Sequence, residues 1–100
     1  MIQSTDFEKV FYLYTLENPK YLKSIKKGFY DSGEIEILSY ISKEFFERFK
    51  ETPTKDQVKV IIKSKFADKV SDNVIDLIFS ANLKNYDDKW LQETSESWIR

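Results

Sequence analysis

Glycine and proline are scarce in this chain, and their scarcity narrows the possible folds more than any other feature. Only two Gly and two Pro occur in 100 residues. Strand-rich folds need tight turns at regular spacing, and such turns use these residues. The sequence therefore predicts an all-α fold. A chain of this length makes one domain, spanning residues 1–100, and its 10 Ile, 7 Leu, 5 Val and 8 Phe suffice for a core.

The chain lacks the two residue types that most often carry chemistry. Without Cys it has no disulfide, thiolate nucleophile or zinc ribbon. Without His it lacks the commonest general base and the commonest metal ligand. Sixteen basic and seventeen acidic side chains give a net charge of −1, so no global positive field attracts nucleic acid. We expect DNA contact by this chain to be weak or absent.

Membrane signals are also missing from the sequence. The first residues lack the basic region and apolar core of a signal peptide. No run of residues approaches the 18 apolar residues typical of a membrane span. We therefore expect no membrane association and a cytoplasmic location.

Apolar spacing and capping residues predict a compact bundle of about six short helices. Thr5 with Glu8, and Thr54 with Gln57, have the spacing of a capping box. Residues 34–37 alternate like a strand, but helical spacing continues through residue 49 and favours one long helix. The predicted helices cover residues 6–16, 19–27, 33–50 (capped by Ser32), 55–64 and 72–81 (capped by Ser71), and a sixth opens at residues 86–87. Between the second and third, Phe29 and Tyr30 are expected to fill the core.

The last predicted helix runs off the C-terminal end of the sequence. Trp98, Ile99 and Arg100 follow one another with no Gly, Pro or polar tail. This pattern favours an N-terminal fragment of a longer protein over a natural small protein whose last helix frays.

Carboxylate pairs are the remaining candidates for catalysis. Glu44 and Glu47 share a helix face, but a paired acid/base site needs one member in an apolar pocket. These residues lie among other charges, so a solvated face is the favoured interpretation. No calcium-loop spacing, phosphate-binding Gly loop or Gly-Lys-Ser/Thr sequence occurs. The sequence predicts no catalytic residue, metal site or cofactor site in this domain.

Lysines recur every four residues at Lys55, Lys59 and Lys63, so they are predicted to line one helix edge. Like charges at this spacing destabilise an isolated helix by about a few tenths of a kcal/mol. A role in binding phosphates or an acidic partner would explain why the lysines are retained. The alternative is an ordinary solubilising surface. Residues 72–96 are net acidic, so copies of the chain could also associate head to tail in a ring.

Aromatic residues supply further candidate contacts. Phe46 lies about 100° around its helix from Phe45, so it belongs either to a second core face or to an exposed anchor for a partner. Trp98 and Ile99 either dock the last helix on this domain or contact a segment outside it. The candidate partner-binding residues are Phe46, Trp98, Ile99 and the three lysines.

Four segments in a fixed order point to a known family. FYDSG at residues 29–33 precedes a long helix, and TPT at 52–54 restarts the chain. YDD at 86–88 and WLQET at 90–94 open the last helix. In this order the chain resembles the N-terminal domain of phage replicative DNA helicases of the T4 type, relatives of the bacterial DnaB helicase. The resemblance covers residues 29–98 well and residues 7–28 loosely.

The resemblance implies a non-catalytic domain of a hexameric helicase. ATP and Mg would be used by a C-terminal RecA-like motor domain that this sequence lacks. The N-terminal domain would form a helical collar that contacts neighbouring copies of itself in the ring, together with primase or a helicase loader. The helix that begins near Asp88 would be the first arm of a hairpin that forms the dimer contact. If a phage encodes the chain, the location would be the host cytoplasm.

Two other functions remain open from the sequence. A stand-alone helical adaptor or regulator would bind one protein partner through its aromatic helix faces. A small enzyme using a carboxylate or Lys is the third hypothesis and the weakest.

Overall fold

The computed structural model describes residues 5–26 and 28–99, and within them the chain is helical, without strands. This confirms the predicted all-α bundle of about six helices. The elements, in chain order, are α1 (Thr5–Glu17), a first 3-10 helix (Pro19–Ser24), α2 (Gly33–Phe49), α3 (Lys55–Lys65), α4 (Asp72–Phe79), a second 3-10 helix (Leu83–Asn85) and α5 (Asp88–Ile99).

Side-chain caps fix where α2, α3 and α4 begin. The hydroxyls of Ser32 and Ser71 each accept the backbone N–H three residues later, at 3.2 and 3.3 Å. Thr54 and Gln57 form both hydrogen bonds of a capping box. These bonds satisfy backbone N–H groups that have no partner within the helix. The three predicted caps are therefore confirmed, and the predicted bounds of these helices differ from the observed ones by only one or two residues.

The predicted second helix is shorter and tighter than expected. It is a 3-10 helix that ends at Ser24, where the chain continues in an extended conformation at Ile25. Leu22 within this helix and Ile25 directly after it are both buried. Gly28 has a φ of +85°, but it lies in the connection to α2 and not directly after the helix. Lys27, the predicted last residue, lies outside the described residues.

The first helix, α1, is the centre of the bundle. It contacts both 3-10 helices, α2, α4 and α5. All of residues 10–15 are buried, so nearly every side of the helix faces another element. Phe7 and Phe11, which are one helical turn apart, are buried, and Tyr12 and Leu13 on other sides of the helix are buried as well. A helix that is apolar all round is typical of a bundle core.

Buried hydroxyls pair between α1 and α2. The Tyr12 hydroxyl lies 2.8 Å from the Ser42 hydroxyl, and both residues are fully buried. Burial raises the pKa of Tyr12 well above its ordinary value. The Thr52 hydroxyl donates to the Leu16 carbonyl at 2.9 Å, so the connection before α3 is attached to the end of α1.

A buried carboxylate holds the segment that leads into α2. Glu8 is only 6% exposed, and its two oxygens accept the backbone N–H groups of Asp31 and Ser32 at 2.8 and 3.0 Å. The sequence pattern predicted Glu8 as the capping partner of Thr5, whose side chain lies outside the described residues. The carboxylate thus joins α1 to a segment more than twenty residues later.

Candidate interaction surface

The predicted lysine edge of α3 faces α4 for half of its length. The ammonium groups of Lys55 and Lys59 lie 2.9 and 2.8 Å from the same carboxylate oxygen of Asp76. Lys59 and then Lys55 lower the pKa of Asp76, and the hydrogen bond to Asp76 raises the pKa of Lys59. Asp72 and Asp56 lie close enough to raise the pKa of Lys59 as well, so the lysines at this end of α3 are offset by acidic residues. The ion pairs with Asp76 therefore join α3 to α4.

The third lysine of the edge is not part of this network. Lys63 is exposed, and within the described part of the chain it has no carboxylate at ion-pair distance. It lies three residues from Val60, so the two side chains are neighbours on the helix surface. Lys63 thus stays available to a partner, whereas Lys55 and Lys59 already bind Asp76.

Trp98 packs into the domain. Its ring centroid lies 4.9 Å from those of Phe7 and Phe11 and 4.6 Å from that of Phe29, in edge-to-face arrangements. Tyr30 lies beside the same cluster, so the prediction that Phe29 and Tyr30 fill the core is confirmed. Such ring pairs contribute about 0.5–1.5 kcal/mol each beyond their burial. The indole therefore docks α5 on α1.

Ile99 also packs against the core, next to Trp98 in the sequence. It is half-buried and contacts both apolar clusters of the core. Trp98 and Ile99 are both partly exposed at the end of the docked helix α5. Their role as contacts for a partner stays a prediction.

Apolar side chains remain exposed where α2 and α3 lie side by side. We call the set Phe45, Phe49, Val60 and Ile61 the α2–α3 strip. Phe49 is 52% exposed and Val60 is 68% exposed. The rings of Phe45 and Phe49 lie 4.7 Å apart, and a cleft of about 270 Å³ opens between Phe45, Val60 and Ile61. Contiguous apolar surface of this kind is typical of a protein contact site.

Phe46 is half-buried at the same end of α2 as the strip. Its partial burial does not decide between the two alternatives that the sequence left open, a second core face and an exposed anchor for a partner. Val60, the most exposed member of the strip, was not predicted as a contact residue. Val60 lies two residues from the buried Val58, which is about 200° around the helix. An apolar residue on the side opposite the buried one could have indicated a contact site in the sequence.

The carboxylate pairs have structural roles or face solvent. The Tyr40 hydroxyl donates to Glu44 at 2.9 Å on an exposed face, and this hydrogen bond raises the pKa of Tyr40. Glu36 accepts the backbone N–H of Gly28 at 3.1 Å. Asp87 accepts the backbone N–H of Trp90 and so caps α5.

Residues 5–26 and 28–99 contain no group of three acidic residues that could hold a metal ion. In the same part of the chain no helix has both the length and the apolar character needed to cross a membrane.

The chain was compared with protein-family models, with curated proteins and with solved structures. None of the three comparisons finds a match.

Proposed function

We propose that this chain is the non-catalytic N-terminal collar domain of a hexameric replicative DNA helicase. Its role is to associate with neighbouring copies in the ring and to contact primase or a helicase loader. The single observation that carries the proposal is the α2–α3 strip, where Phe49 and Val60 are more than half exposed. A domain that retains apolar side chains at one contiguous surface is suited to binding another protein.

The segments that carry the family resemblance fit this role, because their side chains build the domain. Phe29 and Tyr30 belong to the aromatic cluster around Trp98. Ser32 caps α2, and Asp87 caps α5. A motif made of core and capping residues supports a likeness of architecture.

In the proposed helicase, ATP and Mg belong to a motor domain, and this chain contributes no catalytic residue. It carries no Gly-x-x-x-x-Gly-Lys-Ser/Thr sequence. The collar acts through its surface, with the apolar strip as the contact and Lys63 as a charged residue at its border.

The first test reads the coding sequence beyond codon 100. The proposal expects several hundred further codons that include a phosphate-binding Gly-x-x-x-x-Gly-Lys-Ser/Thr sequence. A stop within a few codons would contradict the proposal, because the motor would be missing. The same strip would then serve a stand-alone adaptor that binds one protein partner.

The second test measures assembly of the protein encoded by the whole reading frame. Val60→Glu places a charge in the strip, and Leu77→Glu places the same charge at another exposed apolar position on α4. Sedimentation velocity is expected to show ring assembly weakened by Val60→Glu and retained by Leu77→Glu. Equal behaviour of the two variants would remove the strip from the assembly interface. The 100-residue chain alone is expected to be mostly monomeric, and a tight dimer in light scattering would contradict that expectation.

A further inference from the structure

A second concave site lies elsewhere on the molecule and shares no residue with the α2–α3 strip. It is a pocket of about 430 Å³ between α2, the residues that follow the first 3-10 helix, and the end of α3. Ile25, Ile37 and Phe66 give it apolar walls. Both its volume and its apolar lining are in the range of small-molecule sites.

Two lysines give the pocket its charge. Lys26 and Lys43 both line it, and within the described residues neither ammonium group has a carboxylate at ion-pair distance. The one acidic lining residue, Glu36, already accepts the Gly28 N–H. The pocket therefore carries a net positive charge beside apolar walls.

A buried hydroxyl lies on the α2 side of the pocket. Ser39 is only 3% exposed, yet it lines the cavity. Tyr30 does not line the pocket, and burial raises the pKa of its hydroxyl, with the nearby Ser39 hydroxyl opposing part of that rise. A serine in the lining adds a hydroxyl that can donate a hydrogen bond to a ligand that accepts one.

We propose that this pocket binds a small organic anion, a carboxylate or phosphate group on an apolar body. The apolar body packs against Ile37 and Phe66, and the anionic group pairs with Lys26 and Lys43. Lysine suits either anion because its ammonium group acts as a compact charge with three donors. This inference does not depend on the proposed helicase role.

A pair of matched probes tests the proposal on the 100-residue chain. We would record amide chemical shifts by NMR while adding 3-phenylpropionate or its neutral analogue 3-phenylpropan-1-ol. The expected result is saturable shifts around Lys43 and Phe66 with the carboxylate, and at least several-fold weaker binding of the alcohol. Phenyl phosphate forms the second arm and shows which of the two anions binds more tightly. Equal binding of the acid and the alcohol, or no saturable shift with either anion, would overturn the proposal.

Charge variants locate the anion. Lys43→Gln is expected to weaken binding of 3-phenylpropionate about three- to fivefold, the effect of one solvent-accessible ion pair. The double variant Lys26→Gln/Lys43→Gln is expected to bind the acid no better than the alcohol. Lys89→Gln removes an exposed lysine of α5 that does not line the pocket, so it serves as the control and should bind as the unmodified chain does. If Lys43→Gln and Lys89→Gln bind equally, the anion does not lie in this pocket.

Discussion

Single residues in the core can be tested where two hydroxyls depend on each other. Tyr12→Phe leaves the buried Ser42 hydroxyl unpaired, and Ser42→Ala leaves the Tyr12 hydroxyl unpaired. Each change is expected to lower the free energy of unfolding by about 1–2 kcal/mol, because an unsatisfied buried group loses its hydration. The double variant removes both groups and should cost less than the sum of the two single changes.

Urea denaturation of the four proteins measures this coupling. Tyr12→Phe and Ser42→Ala should each shift the transition midpoint without changing the slope. Strictly additive losses in the double variant would mean that the hydroxyls do not stabilise each other.

The lowered pKa of Asp76 predicts how the stability of the folded protein changes in acid. Lys59 and Lys55 hold the pKa of Asp76 below its ordinary value of 3.8 in the folded state. The unfolded chain therefore takes up a proton first as pH falls, and the stabilisation present above pH 4 is lost as the pH falls through the folded-state pKa. Asp76→Asn is expected to flatten this dependence.

Thermal melts between pH 6 and pH 2 measure the effect of Asp76. The matched control is Asp68→Asn, which removes an exposed carboxylate that has no lysine at ion-pair distance within the described residues. Between pH 6 and pH 2 the melting temperature should fall less in the Asp76→Asn protein than in the unmodified protein. The Asp68→Asn protein should lose as much as the unmodified protein does. The same loss in both variants would show that net charge, and not this ion pair, governs the response.

The sequence predicted part of this charge cluster. The four-residue spacing of Lys55 and Lys59 placed them on one edge, because helical periodicity is a local property. Their partner Asp76 was not predicted, since it lies on another helix and its approach depends on how α3 and α4 pack. The same reason kept Glu8 from being recognised as the residue that holds the segment before α2.

Among the α-helices, those whose first residue was predicted correctly have their own capping residues. The capping box of Thr54 and Gln57 offers a direct test at α3. Thr54→Ala is expected to lower the free energy of unfolding by about 1 kcal/mol, because it leaves a helix N–H without its acceptor. Ser97→Ala is the control, since Ser97 is exposed within α5 and has no capping role.

Chemical denaturation followed by circular dichroism distinguishes these two variants. A Thr54→Ala protein as stable as the Ser97→Ala protein would show that the box adds nothing to α3. Gln57→Ala removes the reciprocal hydrogen bond, in which the Gln57 side-chain oxygen accepts the N–H of Thr54. Because that N–H is exposed and can bind water instead, Gln57→Ala is expected to lower the free energy of unfolding less than Thr54→Ala does.

Two elements were not foreseen in their actual form. The segment after Pro19 was predicted as an ordinary helix, and its 3-10 form depends on which residues the neighbouring helices bury. The second 3-10 helix (Leu83–Asn85) was not predicted, because three residues carry no periodic signal. In α1, apolar spacing identified a helix, but its burial on nearly every side follows from the arrangement of five other elements.

For the whole molecule, the two tryptophans compare a deeply packed and a peripheral contact of α5 with α1. Trp98 lies in a cluster of four other rings. Trp90 is 42% exposed, stacks on Tyr86 and reaches α1 only through an edge contact with Phe7, at 6.2 Å between ring centroids. Trp98→Ala is expected to cost about 2–3 kcal/mol, and Trp90→Ala about 1 kcal/mol or less. Thermal and urea unfolding of both variants provide the comparison.

The contrast between the tryptophans also has a spectroscopic check. In the Trp90→Ala protein the remaining Trp98 should emit at shorter wavelength and be less accessible to an aqueous quencher. In the Trp98→Ala protein the remaining Trp90 should be readily quenched. Equal quenching would contradict the docking of α5 on α1.

The central position of α1 has a consequence for synthesis on the ribosome. This helix leaves the exit tunnel before the other helices of this domain, yet most of the surfaces that cover it belong to elements made later. Trp98, which covers Phe7 and Phe11, belongs to the last of these helices. The nascent chain therefore carries an uncovered apolar helix until the whole domain has been synthesised. Such a chain is a natural client for a ribosome-associated chaperone, and it reaches its native state only after nearly all of these residues have emerged.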